Sequence, residues 1–277
     1  MDIAIPASFD GLPLHRAKVE PICRYAVGRA EVVGMAVTGS FAAGHPDAYS
    51  DVDLRVAVED DALESALADR RVFADAGGTV VAMFTGEHVG APELAIVLYD
   101  DLTHVDLHFQ PAGRVGEMGR GLPAIVLWER DGRLTAQLPG ADPEDPAAKL
   151  AWWEARMWTW CWYVQAKILR GEVYEALDGL GYLRATVLFP LLAMSRGRHA
   201  AGARRVEEML GDLEQEFART ASPPDRLEAM EGLRAAVRLY RTLADPLLDR
   251  HGVPAEEAAR EVASAALGRG LGWRPSP

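Results

Sequence analysis

The segment that decides the reading runs from Val37 to Val58, "VTGSFAAGHPDAYSDVDLRVAV". It begins at the end of one apolar run, turns through Gly39 and Ser40, and closes on a second apolar run headed by two carboxylates two positions apart. Successive strand side chains point to opposite faces, so Val52, Leu54 and Val56 are predicted to enter a core while Asp51, Asp53 and Arg55 share the other face. Two acids held side by side favour a bound cation.

Hard divalent cations take oxygen ligands, and Mg²⁺ in particular retains waters and shares phosphate oxygens with a substrate. Gly39-Ser40 follows a strand directly, where glycine lets backbone N–H groups approach a phosphate and serine adds a hydroxyl donor. A further stretch, "HVDLHF" from His104 to Phe109, repeats the alternation, with Val105, Leu107 and Phe109 inward and His104, Asp106 and His108 outward. The polar turn "YDDLTH", Tyr99 to His104, makes this stretch the return arm of an antiparallel hairpin, able to lay Asp106 beside the first two acids. Zinc is not the expectation, because side chains spaced by two along a strand lie nearly 7 Å apart and no Cys/His cluster supports it.

The 277 residues, 49% of them hydrophobic and 25% charged, can bury a sizeable core and predict two domains. Strands are expected at Val32–Thr38, Val52–Val58, Thr79–Phe84, Leu94–Tyr99, His104–Gln110 and Ala124–Trp128. One helix is expected behind Pro21, running to about Arg29, and one over Asp60–Phe73. The Pro- and acid-rich stretch "QLPGADPEDP", Gln137 to Pro146, marks a boundary between residues 1–140 and 147–277. Beyond it the pattern is helical, with a first helix carrying five of the seven tryptophans and an apolar stripe of Trp153, Met157, Trp160, Cys161, Val164 and Ile168. Further helices are expected over Tyr174–Met194, Ala203–Phe217, Asp225–Leu243 and Ala255–Leu267. The predicted class is α+β: a mixed β-sheet domain with flanking helices, followed by an α-helical bundle.

A net charge of −12 argues against a nucleic acid polymer as partner, since affinity for a phosphate backbone comes from Lys and Arg. It suits a small or cationic molecule. The N-terminal residues lack the build of a signal peptide and no apolar run approaches a membrane span, so a cytoplasmic protein without membrane association is expected; a homodimer is compatible with the chain. Cys23 and Cys161 read as reduced thiols with no chemistry.

Gly-Ser, ten residues, Asp-x-Asp and a distant single Asp on a strand resemble the nucleotidyltransferase superfamily of the DNA polymerase β type. "GSFAAGHPDAYSDVD" is similar in particular to the small-molecule branch that includes aminoglycoside and lincosamide nucleotidyltransferases. The resemblance implies transfer of a nucleoside monophosphate from a nucleoside triphosphate, ATP first among them, to a hydroxyl of a small acceptor, linked to antibiotic resistance. It implies two Mg²⁺ ions on Asp51 and Asp53, with Asp106 completing the catalytic one, and phosphates anchored at Gly39-Ser40. "KILRGEVYEA", Lys167 to Ala176, is similar to a segment that approaches nucleotide and acceptor, so that Lys167 would contact phosphate and Glu172 or Glu175 would orient or deprotonate the acceptor. Ala43 departs from the pattern, where members commonly carry Arg before the second glycine; Arg55 could supply that charge. Two other readings stay open: an antitoxin-like adenylyltransferase that modifies a protein, and a non-catalytic nucleotide-binding regulator on the same fold.

Overall fold

The period-two alternation is realised as a mixed sheet. In the computed structural model, which describes residues 2–117, 123–138, 145–198 and 202–272, the strands are β1 (Val32–Val37), β2 (Val52–Val58), β3 (Val80–Gly86), β4 (Ala91–Tyr99), β5 (His104–Pro111) and β6 (Ile125–Glu129). Their order is β3-β4-β5-β2-β1-β6. Described neighbours run antiparallel except β2 and β5, which are parallel. The chain separates into two units, Met1–Pro143 and Glu144–Pro277, and most of the stretch expected to link them lies outside the described residues.

Helices α1 (Pro13–Val27), α2 (Gly39–Ala42), α3 (Leu63–Ala68) and α4 (Arg70–Ala76) belong to the first unit. The first of these begins earlier than expected. Pro13 occupies the first turn, where its fixed φ fits, and Pro21 lies inside the helix. Burial of Val19, Ile22, Cys23 and Ala26 offsets the hydrogen bond that Pro21 cannot make. The single helix expected over Asp60–Phe73 is instead a 3₁₀ turn followed by α3 and α4. The chain breaks at Asp69, whose carboxylate receives Arg29 at 2.7 Å, and the break lets both Ala66 and Phe73 reach the core. These helices cover one face of the sheet, against Met35, Leu54, Val56, Val97, Leu107 and Phe109. The other face carries a small apolar cluster of Val33, Ala36, Ala57, Ala112, Val115 and Leu134, and beside it the polar residues of β2 and β5.

The second unit holds α5 (Pro146–Arg170), α6 (Val173–Leu183), α7 (Phe189–Ser195), α8 (Glu207–Leu210), α9 (Glu214–Thr220), α10 (Arg226–His251) and α11 (Glu257–Gly268). The carboxylate of Asp145 caps the start of α5, and Gly171, at φ 81°, ends it in the left-handed region. Its buried stripe includes Trp158, while Trp160 is only partly buried and meets Tyr182 edge-on. The helix expected over Tyr174–Met194 is interrupted by a π turn at Arg184–Leu188. Pro190 explains it: lacking an N–H, it cannot bond the Thr186 carbonyl, which accepts the Trp153 indole N–H at 2.8 Å instead.

The run Val173–Ser195, 23 residues with a mean hydropathy of 1.3, is long and apolar enough to cross a membrane, contrary to the sequence expectation. Leu180, Leu183, Val187, Leu188, Leu191 and Leu192 within it are packed in the helical core. Two further expectations are corrected. The helix over Ala203–Phe217 is split by a turn at Gly211, at φ 52°, and the helix from Asp225 runs through Pro246 to His251.

Glu154 is the electrostatic centre of this unit. At 1% exposure it receives Arg260 on both oxygens (2.7 and 3.0 Å), the Tyr240 hydroxyl (2.6 Å), the Trp158 indole (3.0 Å) and the Glu256 backbone N–H (2.9 Å). Burial alone would raise its pKa, but these donors reverse the sign and hold it at about 2. A depressed carboxyl stabilises the fold above its unfolded value near 4.5, and that contribution is lost as pH falls toward 2. Glu154→Gln leaves the buried Arg260 guanidinium with Asp245, 2.8 Å from Nη1, as its remaining counterion, so the loss at neutral pH is expected to be about 3 kcal/mol, at the low end for breaking a buried ion pair. Urea titrations of both proteins check it: the gap should narrow as pH is lowered from about 5 to 2, following the titration of Glu154.

Candidate metal and phosphate site

The parallel pairing of β2 with β5 builds the site. Its register sets Val52 beside Val105, Asp53 beside Asp106, Leu54 beside Leu107 and Arg55 beside His108. Because both strands alternate, the register that matches core residues also matches the acids. Asp51 stands just before β2. One carboxylate oxygen from each of Asp51, Asp53 and Asp106 lies within 4.8 Å of the others, and all three residues are partly buried. Like charges this close repel, so the cluster is suited to a cation that neutralises them.

The Gly39-Ser40 turn abuts the cluster. Thr38 N–H donates to the Asp53 carbonyl at 2.9 Å, closing β1 against β2. Gly39 has φ 64°, and a Cβ there would lie 2.0 Å from Asp53 Oδ2, so glycine is required both by backbone conformation and by the carboxylate pressed against it. That second reason is invisible in the sequence. Among the described residues the buried Ser40 hydroxyl oxygen has no hydrogen-bond partner, and the buried Asp106 Oδ1 meets only His104, in a contact out of hydrogen-bond alignment. Native structures rarely leave such atoms unsatisfied, and here an acceptor oxygen and a hydroxyl do so beside one cluster. The oxygen-only donor set fits a hard divalent cation.

Arg55 is no exposed strand arginine. Burial lowers its pKa, while Asp53 and Asp106 oppose that shift by favouring its charge, and its guanidinium meets Nδ1 of His108. His104 Nε2 lies 3.0 Å from Asp106 Oδ1, in ion-pair contact without hydrogen-bond alignment. That contact raises the His104 pKa; burial opposes it, and the charges of Asp106, Asp51 and Asp53 add to it.

Lys167, Glu172 and Glu175 form a cluster in the helical unit. Lys167 Nζ lies 3.0 Å from Glu172 and 2.7 Å from Glu175, and Glu175 accepts the Tyr163 hydroxyl at 2.6 Å. The two glutamates hold the Lys167 pKa above its ordinary range. Glu172 sits at the N-terminus of α6, yet its side chain makes no cap hydrogen bond. Sequence reasoning overlooked His15, a lone histidine on α1 with no motif around it, whose ring bonds the carbonyl of Ser50 next to Asp51.

No described protein family matches the sequence, and no curated protein is found similar to it. Among solved structures, the chain is similar to an aminoglycoside 6-adenyltransferase from Bacillus subtilis, at 15% identity and a TM-score of 0.40 over 95% of this chain and 98% of that one. It is also similar to a nucleotidyltransferase-like protein from Exiguobacterium sibiricum, at 14% identity and a TM-score of 0.40 over 93% and 89%. The fold assignment itself rests on the sheet order and strand register described above.

Gly39→Ala tests the packing of the turn. The left-handed backbone penalty of about 1–3 kcal/mol should appear in chemical denaturation. Because the new methyl must displace the Asp53 carboxylate, Mn²⁺ affinity measured by titration should fall as well; an effect on stability alone would show that the carboxylate can move aside.

Proposed function

We propose that the chain is a metal-dependent nucleotidyltransferase that moves a nucleoside monophosphate from a nucleoside triphosphate to a hydroxyl of a small molecule. The observation that carries this reading is the pairing of Asp53 with Asp106 across parallel strands, with Asp51 alongside and the Gly39-Ser40 turn in contact. In the reaction the acceptor hydroxyl gives up its proton to Glu172 or Glu175, its oxygen bonds to the α-phosphorus, the bond from that phosphorus to the bridging oxygen breaks, and pyrophosphate leaves with the electron pair. Asp51, Asp53 and Asp106 are the residues that would hold divalent cations. Bound there, such cations polarise phosphoryl oxygens and offset the charge of the leaving group.

The chain's own groups do the remaining work. The Ser40 hydroxyl, without a partner among the described residues, donates to a phosphate oxygen. Arg55, held by His108 on the same face as the acids, adds positive charge toward the triphosphate. We assign acceptor recognition to the helical unit, with Glu172 and Glu175 as its acidic groups and Lys167 as their cation. A chain of net charge −12 suits a cationic, hydroxylated acceptor of the aminoglycoside kind, and a lincosamide is the second class to try.

Mass spectrometry of products from ATP, GTP, CTP or UTP with Mg²⁺ and a panel of both antibiotic classes is the test. The expected outcome is an acceptor heavier by one nucleoside monophosphate, with equimolar pyrophosphate. Asp51→Asn and Asp53→Asn should lower turnover by at least about a thousandfold, since an amide keeps the shape and removes the charge a metal needs. Asp106→Asn should lose turnover yet keep much of its triphosphate affinity. Tight triphosphate binding with neither adduct nor pyrophosphate across the panel would instead favour a nucleotide-binding regulator.

A further inference from the structure

His15 projects from α1, an element well before the carboxylates in sequence. Its side chain is buried, at 5% exposure, and Nε2 lies 2.9 Å from the carbonyl oxygen of Ser50. A carbonyl only accepts, so Nε2 carries the proton and donates it. Ser50 is the residue that delivers the chain to Asp51. The same imidazole lies against Phe41, with ring centroids 5.4 Å apart, and Phe41 directly follows Gly39-Ser40. Phe41 is in turn stacked on Phe9 at 4.1 Å. One ring therefore touches both halves of the site, which are separated in sequence by an open loop.

That loop is exposed over residues 43–45 and 47–49. Tyr49 is 98% exposed, so its ring does not anchor the far end, and Gly44 takes φ 79°. Asp47 braces it locally: its carboxylate accepts from Tyr49 N–H (2.9 Å) and the Ser50 hydroxyl (3.3 Å), and its carbonyl accepts from Ser50 N–H (3.1 Å). These bonds shape the turn that leads into Asp51. His15 fastens the loop at the Ser50 carbonyl, next to Asp51.

We infer that His15 is a positioning residue for the carboxylate site, setting the approach of Asp51 through the Ser50 carbonyl and the seat of Gly39-Ser40 through Phe41. The inference rests on the reading of Asp51, Asp53 and Asp106 as cation-holding carboxylates. Without the imidazole donor the Ser50 carbonyl is a buried acceptor with no partner, and the chain relieves that by moving outward toward water. Asp51 moves with it, away from Asp53 and Asp106, which β2 and β5 hold in place. Groups that orient metal ligands without touching the metal typically affect affinity by about 10–100-fold, and His15 stands in that relation to Asp51.

The test uses Mn²⁺ alone, followed by electron paramagnetic resonance, with thermal melting alongside. His15→Phe keeps a ring against Phe41 and removes only the donor; it should fold, melt close to the wild type, and bind Mn²⁺ about 10–100-fold more weakly. His15→Gln, which restores an N–H donor, should recover most of that loss, a rescue that a purely space-filling role would not produce. Should His15→Phe not fold, Phe41→Leu decides: it keeps the position apolar and loosens the ring contact, so weakened Mn²⁺ binding supports the inference and unchanged binding overturns it. A folded His15→Phe protein with wild-type Mn²⁺ affinity overturns the inference and leaves the carboxylate site standing. A wild-type protein that binds no Mn²⁺ overturns both.

Discussion

Asp53 and Asp106 stand side by side because two parallel strands share one register, and much of the first unit is arranged so that they stay there. Their mutual repulsion opposes the pairing of β2 with β5. The opposing gain lies on the other face, where Val52, Leu54, Val56, Val105, Leu107 and Phe109 are fully buried. A slip of one residue would turn an acid into that core, and burying an unpaired carboxylate costs far more than holding two of them at the surface. Hydrophobic alternation thus fixes an electrostatically unfavourable arrangement. A cation would relieve it.

Several contacts away from the acids keep the two strands where they are. Lys18, on α1, reaches the Asp101 carboxylate at 2.8 Å in the turn before β5 and lies over the Tyr99 ring, so the hairpin that delivers Asp106 is tied to a helix. Arg130 donates to the carbonyls of Val27, Arg29 and Val32, binding the end of α1 to the start of β1 and so to the strand that leads into Gly39. His15, on the same helix, holds the loop in between. Helix α1 is therefore tied to each of the three approaches to the site, by its own Lys18 and His15 and by Arg130 at its C-terminal end, while its apolar side chains sit in the core.

The two units treat buried carboxylates in opposite ways. Glu154 has donors for both oxygens, from four residues, and is a fixed part of its core. Asp106 has a buried oxygen met only by His104 Nε2, at 3.0 Å and out of hydrogen-bond alignment, and among the described residues the nearby Ser40 hydroxyl is unmatched. A protein that satisfies one buried acid so fully does not leave another unsatisfied through lack of means. Local violations of polar satisfaction gather where a ligand supplies what the chain does not.

The strands and the faces of their side chains were legible in the sequence, since a period of two leaves little freedom once one face is apolar. Asp51, Asp53 and Asp106 could for that reason be placed on the polar face, and the hairpin turn between Tyr99 and His104 could be recognised. The parallel match of β2 with β5 was not legible, because four other elements intervene and nothing in the alternation states which strand a return arm will meet. Helix interiors were read correctly and helix breaks were not: Asp69 ends a helix because Arg29 binds it, and the π turn exists because Trp153 takes a carbonyl that Pro190 cannot use. Lys167 and its glutamates could be named from sequence, but their binding to one another, and to Tyr163, appears only in the folded unit. His15 carried no signal, being a lone histidine whose partner is a backbone carbonyl. Local periodicity is written along the chain, whereas contacts between distant residues depend on three-dimensional packing, and that packing alone decided the depth and support of the site.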